Sequence, residues 1–142
     1  MTDDALKVSG ALVIRRNGYV IREAQNVVTA VGKAHIADQL ARVPAQRGVQ
    51  HMGIGTGTPT TTALGAQTSR KYLTTKTASS NIVTYVAHWD VDDQLSGSFT
   101  EAGLFTSPNA GVNDAMLCSG RFAAIAKGVN DSLDITWTLT IT

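Results

Sequence analysis

The final eight residues alternate without a break. Ile135, Trp137, Leu139 and Ile141 are apolar, and Thr136, Thr138, Thr140 and Thr142 stand between them. Period-two alternation predicts a strand with one face on a core and the other turned away from it. That strand is expected over residues 132–142, which would pin the C-terminus into the fold.

An earlier pair of segments, residues 6–16 and 19–24, flanks Asn17-Gly18. A type I′ turn needs positive φ at both central positions, so this dipeptide predicts a tight hairpin. A regular register pairs Arg16 with Tyr19, Ile14 with Ile21, and Leu12 with Glu23. Leu12, Ile14, Tyr19 and Ile21 then share a packed face, with Arg15, Val20 and Arg22 opposite. Further strands are expected at residues 71–77, 82–91, 98–106 and 115–124. Val83, Tyr85, Ala87 and Trp89 form one face of the second of these, and residues 78–81 turn a hairpin before it. Residues 90–97, 107–114 and 127–131 read as polar turns.

One helix stands out. After Asn26-Val27-Val28, Thr29 can cap residues 30–43, with Ile36, Leu40 and Val43 on one stripe. Pro44 would stop it, and Gly32 weakens its start. His35 and Asp38, three apart, read as a solvated surface pair. Residues 50–57 (Gln-His-Met-Gly-Ile-Gly-Thr-Gly) suggest a strand that a neighbour approaches closely. Thr58 to Thr62 read as an extended loop, and residues 63–70 as a short helical turn capped by Thr62.

Seven to eight strands, one helix and no βαβ unit predict a mainly β single domain over residues 1–142. The expected architecture is an antiparallel β-sandwich or open barrel with one packed α-helix. Residues 1–7 are expected to form a flexible N-terminal arm.

Composition narrows the function. The 142 residues include 18 threonines, 13 glycines and 3 prolines, which suits a strand-and-turn protein. Charged residues make up only 16% and the net charge is +1, so no basic footprint for nucleic acid exists. No apolar run approaches the ~20 residues of a membrane helix. Met1-Thr2-Asp3-Asp4 is the reverse of a secretory start. The single cysteine, Cys118, rules out an internal disulfide framework and a CxxC zinc site, and its apolar neighbours suggest a buried, inert thiol.

Candidate chemistry is sparse. Gly53-Ile54-Gly55-Thr56-Gly57 lacks the lysine of a phosphate loop and the spacing of a dinucleotide fingerprint, so the glycines read as a tight strand-to-loop bend. His35, His51 and His88 are isolated from one another, and His88 reads as a strand-surface residue. Asp90, Asp92 and Asp93 lack the glycine and distal glutamate of a calcium loop and read as a solvated turn. No cofactor or metal is expected. Glu101, among apolar strand residues, has two readings. It is either a buried anchor, paired with an arginine such as Arg121 or accepting backbone N–H bonds, or an outward strand position.

Several segments in order form a recognisable set. They are Asn26 to Lys33, Met52 to Gly57, Thr62-Ala63-Leu64, Thr100 to Phe105, Met116-Leu117, Phe122, Lys127, and Asp134 to Leu139. Over about residues 8–142 this resembles small structural proteins of tailed-bacteriophage virions, described as tail-fibre-like or collar-like. The resemblance implies a β-rich virion component without catalytic residues. Gly53, Gly55, Gly57, Glu101, Gly103, Phe105 and Trp137 would then be structural.

The expected role is a capsid decoration protein in the virion, with other virion proteins and copies of itself as partners. It would have no nucleic-acid or membrane partner. A chain that closes on a core strand would lack a fibre's shaft and tip, which favours decoration. A tail adaptor, collar or fibre-attachment protein is the alternative. A different class would be a host-surface carbohydrate-binding module using Tyr72, Tyr85, Trp89 and Trp137, although strand aromatics are usually core. Subunit contacts are expected at the polar arm (Thr2, Asp3, Asp4, Leu6), at the hairpin edges with Arg15 and Arg22, and at Thr58 and Thr60.

Overall fold

The structure, a computed structural model, describes residues 7–41, 48–108 and 114–142. The arm residues Thr2, Asp3, Asp4 and Leu6, and the helix residues expected at Val43 and Pro44, lie outside the described residues. Among the described residues nine strands and one α-helix follow in the order β1 Val8–Arg16, β2 Tyr19–Val28, α1 Ala30–Leu40, β3 His51–Gly55, β4 Gln67–Tyr72, β5 Thr75–Ser79, β6 Ile82–Trp89, β7 Gly97–Phe105, β8 Met116–Lys127 and β9 Leu133–Ile141. All strands join one antiparallel sheet, ordered β4-β3-β7-β8-β2-β1-β9-β6-β5 and curled into a half-barrel. The fold is thus mainly β with one helix, as the alternation predicts.

The curl follows from one short connection. The two edge strands, β4 and β5, are consecutive in the chain and joined only by Leu73 and Thr74. Three Cα steps span at most about 11 Å, whereas the edges of a flat nine-stranded sheet would lie roughly 38 Å apart. The sheet must therefore curl until its edges meet. At the junction the Leu73 N–H donates to the Gln50 carbonyl at 3.0 Å, and the Thr74 N–H to the Val86 carbonyl at 2.7 Å. Two adjacent residues thus bond to opposite ends of the sheet.

The concave face holds the core. Leu12, Ile14, Met52, Ile54, Trp89, Phe99, Leu133, Ile135 and Trp137 are fully buried there. Both indoles satisfy their N–H groups, Trp89 on Ser69 Oγ at 3.0 Å and Trp137 on Asn26 Oδ1 at 3.2 Å. Tyr85, Ala87 and Trp89 share the inward face of β6, as the alternation predicts, with Val83 half-buried beside them.

The first hairpin differs from its expected register. Asn17 and Gly18 do adopt positive φ (53° and 86°) and Arg16 does pair with Tyr19. A bulge between Ile14 and Arg15 then shifts the ladder by one, so Ile14 meets Arg22 and Leu12 meets Ala24. Tyr19 is exposed, and Arg22, not Glu23, shares the side of Ile14. β1 lies between β2 and β9, whereas β2 pairs with β8 only through Asn26–Val28, so among the described residues Tyr19 to Gln25 have no ladder partner on that side.

Other boundaries move for local reasons. Residues 67–70, part of the expected helical turn, instead begin β4, because their backbone completes the ladder of β3. The segment expected as a single strand over residues 71–77 is divided between β4 and β5. The turn after β6 is a single 3₁₀ turn over Val91–Asp93, which Asp90 and Asp93 close reciprocally as a capping box.

The helix begins as expected and packs differently. Thr29 accepts the Gly32 N–H at 2.8 Å and donates to the Met116 carbonyl at 2.7 Å, so one hydroxyl caps α1 and ties it to β8. The buried stripe is Gly32 and His35, with Ile36 half-buried, while Leu40 is exposed. His35 is therefore not on the solvated surface. A Cβ on Gly32 would sit 2.1 Å from the Leu117 carbonyl oxygen, and backbone cannot yield there as a side chain could. Gly32→Ala is expected to cost about 1–3 kcal/mol by overpacking, read as a lower urea midpoint with unchanged slope. An unchanged midpoint would show that helix and sheet are not in contact.

Candidate functional site

The convex side of β3 and β7 carries a second, smaller assembly. On β7 a register shift between Phe99 and Glu101 lets Phe99, Ala102 and Leu104 all face the core, while Glu101, Gly103 and Phe105 turn outward. On β3 the outward positions alternate with Met52 and Ile54, and two of them are Gly53 and Gly55. Gly53, Gly55 and Gly103 form a track with no side chains: the Phe105 ring lies over Gly53 and Gly103, and the Ala66 backbone and the Glu101 carboxylate lie over Gly55.

Glu101 is 0% exposed. Its carboxylate accepts three backbone N–H groups, from Gly57 at 3.1 Å, Gly65 at 2.8 Å and Ala66 at 2.7 Å. Thr100 Oγ1 adds a bond to the Gly57 carbonyl at 2.6 Å, and the Thr56 N–H donates to the Ala66 carbonyl at 3.0 Å. Both ends of the loop between β3 and β4 are thereby gathered on one charge. A buried carboxylate is tolerable only when its lone pairs are used in this way. Arg121 stands opposite Glu101 in the ladder but is exposed, so the anchor partners are backbone amides.

The glycines make this approach possible. A Cβ on Gly55 would lie 2.4 Å from both Glu101 Oε1 and the Ala66 carbonyl oxygen. On Gly57 it would lie 2.8 Å from the Ala66 nitrogen, and on Gly65 2.3 Å from the Thr58 carbonyl oxygen. The loop tip is a small turn: the Thr60 N–H donates to the Ala63 carbonyl at 2.8 Å, and Thr60 Oγ1 accepts the Ala63 N–H at 3.1 Å. Thr58 and Thr60 project into solvent from this braced loop, with Leu64 folded inward.

Leu64, Phe105 and Met116 form an apolar cluster separate from the main core. Arg70 covers it, its guanidinium carbon 3.6 Å from the centre of the Phe105 ring. The same guanidinium pairs with Asp114 at 2.9 Å, reaches the Ser107 carbonyl at 2.9 Å, and gives Nε and Nη2 to Gln67 Oε1 at 3.0 and 2.8 Å. Sequence reasoning did not single out Arg70 or Asp114. They lie 44 residues apart, and no local pattern links them.

His51 lies beside this cluster, its ring 4.3 Å from that of Tyr72. Both ring nitrogens are buried without a hydrogen-bond partner. Burial, and next the Arg70 charge, hold its pKa below the usual histidine value, and Asp114 opposes them. Burial also pushes the Cys118 thiol up to about 12, so it is an inert thiol at neutral pH.

The remaining expected residues are dispersed. Trp137 is in the core, as are Trp89 and, nearly so, Tyr85. Of the four aromatics considered for sugar stacking only Tyr72 is exposed. Arg15 is half-buried beside Thr136, and Arg22 donates to the Ala124 carbonyl at 3.4 Å. His88 is bonded to Asp134 across β6 and β9. Among the described residues no three His, Cys, Asp or Glu side chains are grouped so as to hold a metal ion, and no helix is long and apolar enough to cross a membrane.

Comparison with protein-family models, with curated proteins and with solved structures finds no match for this chain.

Two outcomes are expected. Glu101→Gln replaces one accepting oxygen with a donor facing backbone N–H groups, and should cost about 2–3 kcal/mol. Amide exchange should accelerate at Gly57, Gly65 and Ala66, and a loop that exchanges at the wild-type rate would rule out the clamp. The second concerns pH. His51 has a folded-state pKa below 6.5, so between the two values the unfolded chain binds a proton that the folded chain does not. Its contribution is complete above the unfolded value and is lost as pH falls towards the folded one. His51→Gln should flatten the stability profile below about pH 6.5, and an unaltered profile would contradict this.

Proposed function

We propose that this chain is a structural component of a bacteriophage virion, acting as a decoration protein that binds the particle exterior through protein–protein contacts. The observation that carries the reading is the loop held on Glu101. Three charge-assisted hydrogen bonds and a glycine track hold a threonine-rich loop rigid while Thr58 and Thr60 stay exposed. A loop ordered before docking loses little entropy on docking, which suits a contact that must persist. Uncharged hydroxyl side chains suit a permanent interface better than lysines or glutamates do. The ordered resemblance to virion proteins supports the same reading. It assigns no catalytic residues and no cofactor to the chain.

A tail adaptor or collar is the second reading, and copy number separates the two. Quantitative mass spectrometry of purified particles should find hundreds of copies, whereas roughly six to eighteen would mean a tail or collar position. Thr58→Arg should weaken particle binding at least about tenfold while leaving the melting temperature unchanged. Undiminished binding would remove the loop from the interface. Cleavage of a host polysaccharide by the purified protein would overturn the structural role.

A further inference from the structure

Strand β5 ends the sheet, and all five of its residues are exposed. Its register pairs Thr75 with Val86, Thr77 with Thr84 and Ser79 with Ile82. The neighbouring ladder decides which backbone groups of β5 face outward. The Ile141 N–H donates to the Asn81 carbonyl at 2.9 Å, so Ile82 and Thr140 form a non-hydrogen-bonded pair of β6 and β9. Ile82 therefore turns its own N–H and C=O to β5, and Thr84 and Val86 do the same. Ser79, Thr77 and Thr75 meet them. The N–H and C=O groups of Lys76 and Ala78 are left pointing off the sheet.

Natural edges are normally blunted by charge, proline, a bulge or a cover. The opposite edge, β4, is tied down, with Ser69 bonded to Trp89 and Lys71 paired with Asp93 at 2.8 Å. β5 has no proline. Its one charge, Lys76, is drawn away from the edge, since Nζ donates to the Val49 carbonyl at 2.8 Å. Among the described residues the strand thus presents an open ladder without a charged guard.

We propose that β5 is a self-association edge that pairs antiparallel with β5 of a second copy, about a twofold axis at Thr77. The edge is complementary to itself. Lys76 lies opposite Ala78 of the partner subunit and Ala78 opposite Lys76 of the partner subunit, which makes four N–H···O=C bonds. Thr77 meets its own copy at a non-hydrogen-bonded position, where threonines pair favourably. The tethered ammonium groups are not directly opposed, so the axis brings no like charges face to face. The row Thr138–Thr84–Thr77 on the convex face continues across the axis into the partner's row. This proposal rests on the sheet edge alone and is independent of the virion reading. An interface of five residues a side is small, so the dimer is weak and seen at high concentration.

Sedimentation velocity from about 10 µM to about 1 mM tests it on the intact chain. The wild type should show a reversible monomer–dimer equilibrium. Thr77→Glu alone and Thr77→Lys alone should each be monomeric, because the axis would oppose like charges. An equimolar mixture of the two should dimerise again. Ala78→Pro removes an outward N–H that the β6 ladder does not use, and should abolish the dimer without lowering the melting temperature appreciably. A wild type monomeric over the whole range overturns the proposal. So does a dimer that survives both the charge substitutions and the proline, because it would then use another face.

Discussion

A single buried carboxylate organises the outer half of this structure. Glu101 could not lie buried under a loop without hydrogen-bond partners, and the loop could not hold its path without an acceptor for its amides. Each requirement answers the other at Gly57, Gly65 and Ala66. The consequences spread along β3 and β7. Gly55 must be bare because the carboxylate occupies the space of its Cβ. The bulge after Phe99 must exist so that Glu101 turns outward while Phe99 and Ala102 stay in the core. Phe105 and Leu64 then have a floor to pack on, and Arg70 a ring to cover. The exposed threonines are placed by this chain of dependence and by little in their own local sequence.

The main core obeys a different constraint. Its strands are long and alternate regularly, and its curvature is imposed by the two-residue passage from β4 to β5. That passage makes the molecule a half-barrel in place of an open sheet. It also leaves the two edges unequal. β4 is tied to β6 and to the 3₁₀ turn by side chains, whereas β5 stands clear at all five residues. The convex face over β1, β9 and β6 is correspondingly plain, with Ala11, Thr138 and Thr84 in one row.

The legible parts of the fold were those governed by short-range periodicity. The alternation at Ile135 to Ile141 and at Val83 to Trp89 predicted their inward faces, and Asn17-Gly18 placed its turn. The Thr29 cap was equally local. Failures came where one residue's insertion or a distant partner decides. The bulge at Ile14–Arg15 is invisible to a pattern of period two, and it carries Arg22 to the other side. Residues 67–70 lack apolar alternation, because the outward side of β4 is covered by polar contacts of Arg70 and by Phe105, so they did not read as a strand. His35 looked like a surface residue because it stands three positions from Asp38, as a solvated pair would. It is buried because Gly32 lets α1 sit tightly on β8.

By itself the sequence determined that this is a mainly β chain with one capped helix, a threonine-rich surface and a carboxylate in a place where one needs explaining. These follow from side-chain period, turn chemistry and the cost of a charge among apolar residues, all of which act over a few positions. The tertiary structure alone decided what satisfies that charge, because its three donors are backbone amides 35 to 44 residues away and every residue type carries one. It alone decided which strand is an edge, because strand order depends on how the β4–β5 passage closes the sheet. Alternation determines the face that a residue presents. Only closure of the sheet determines which neighbour that face will meet.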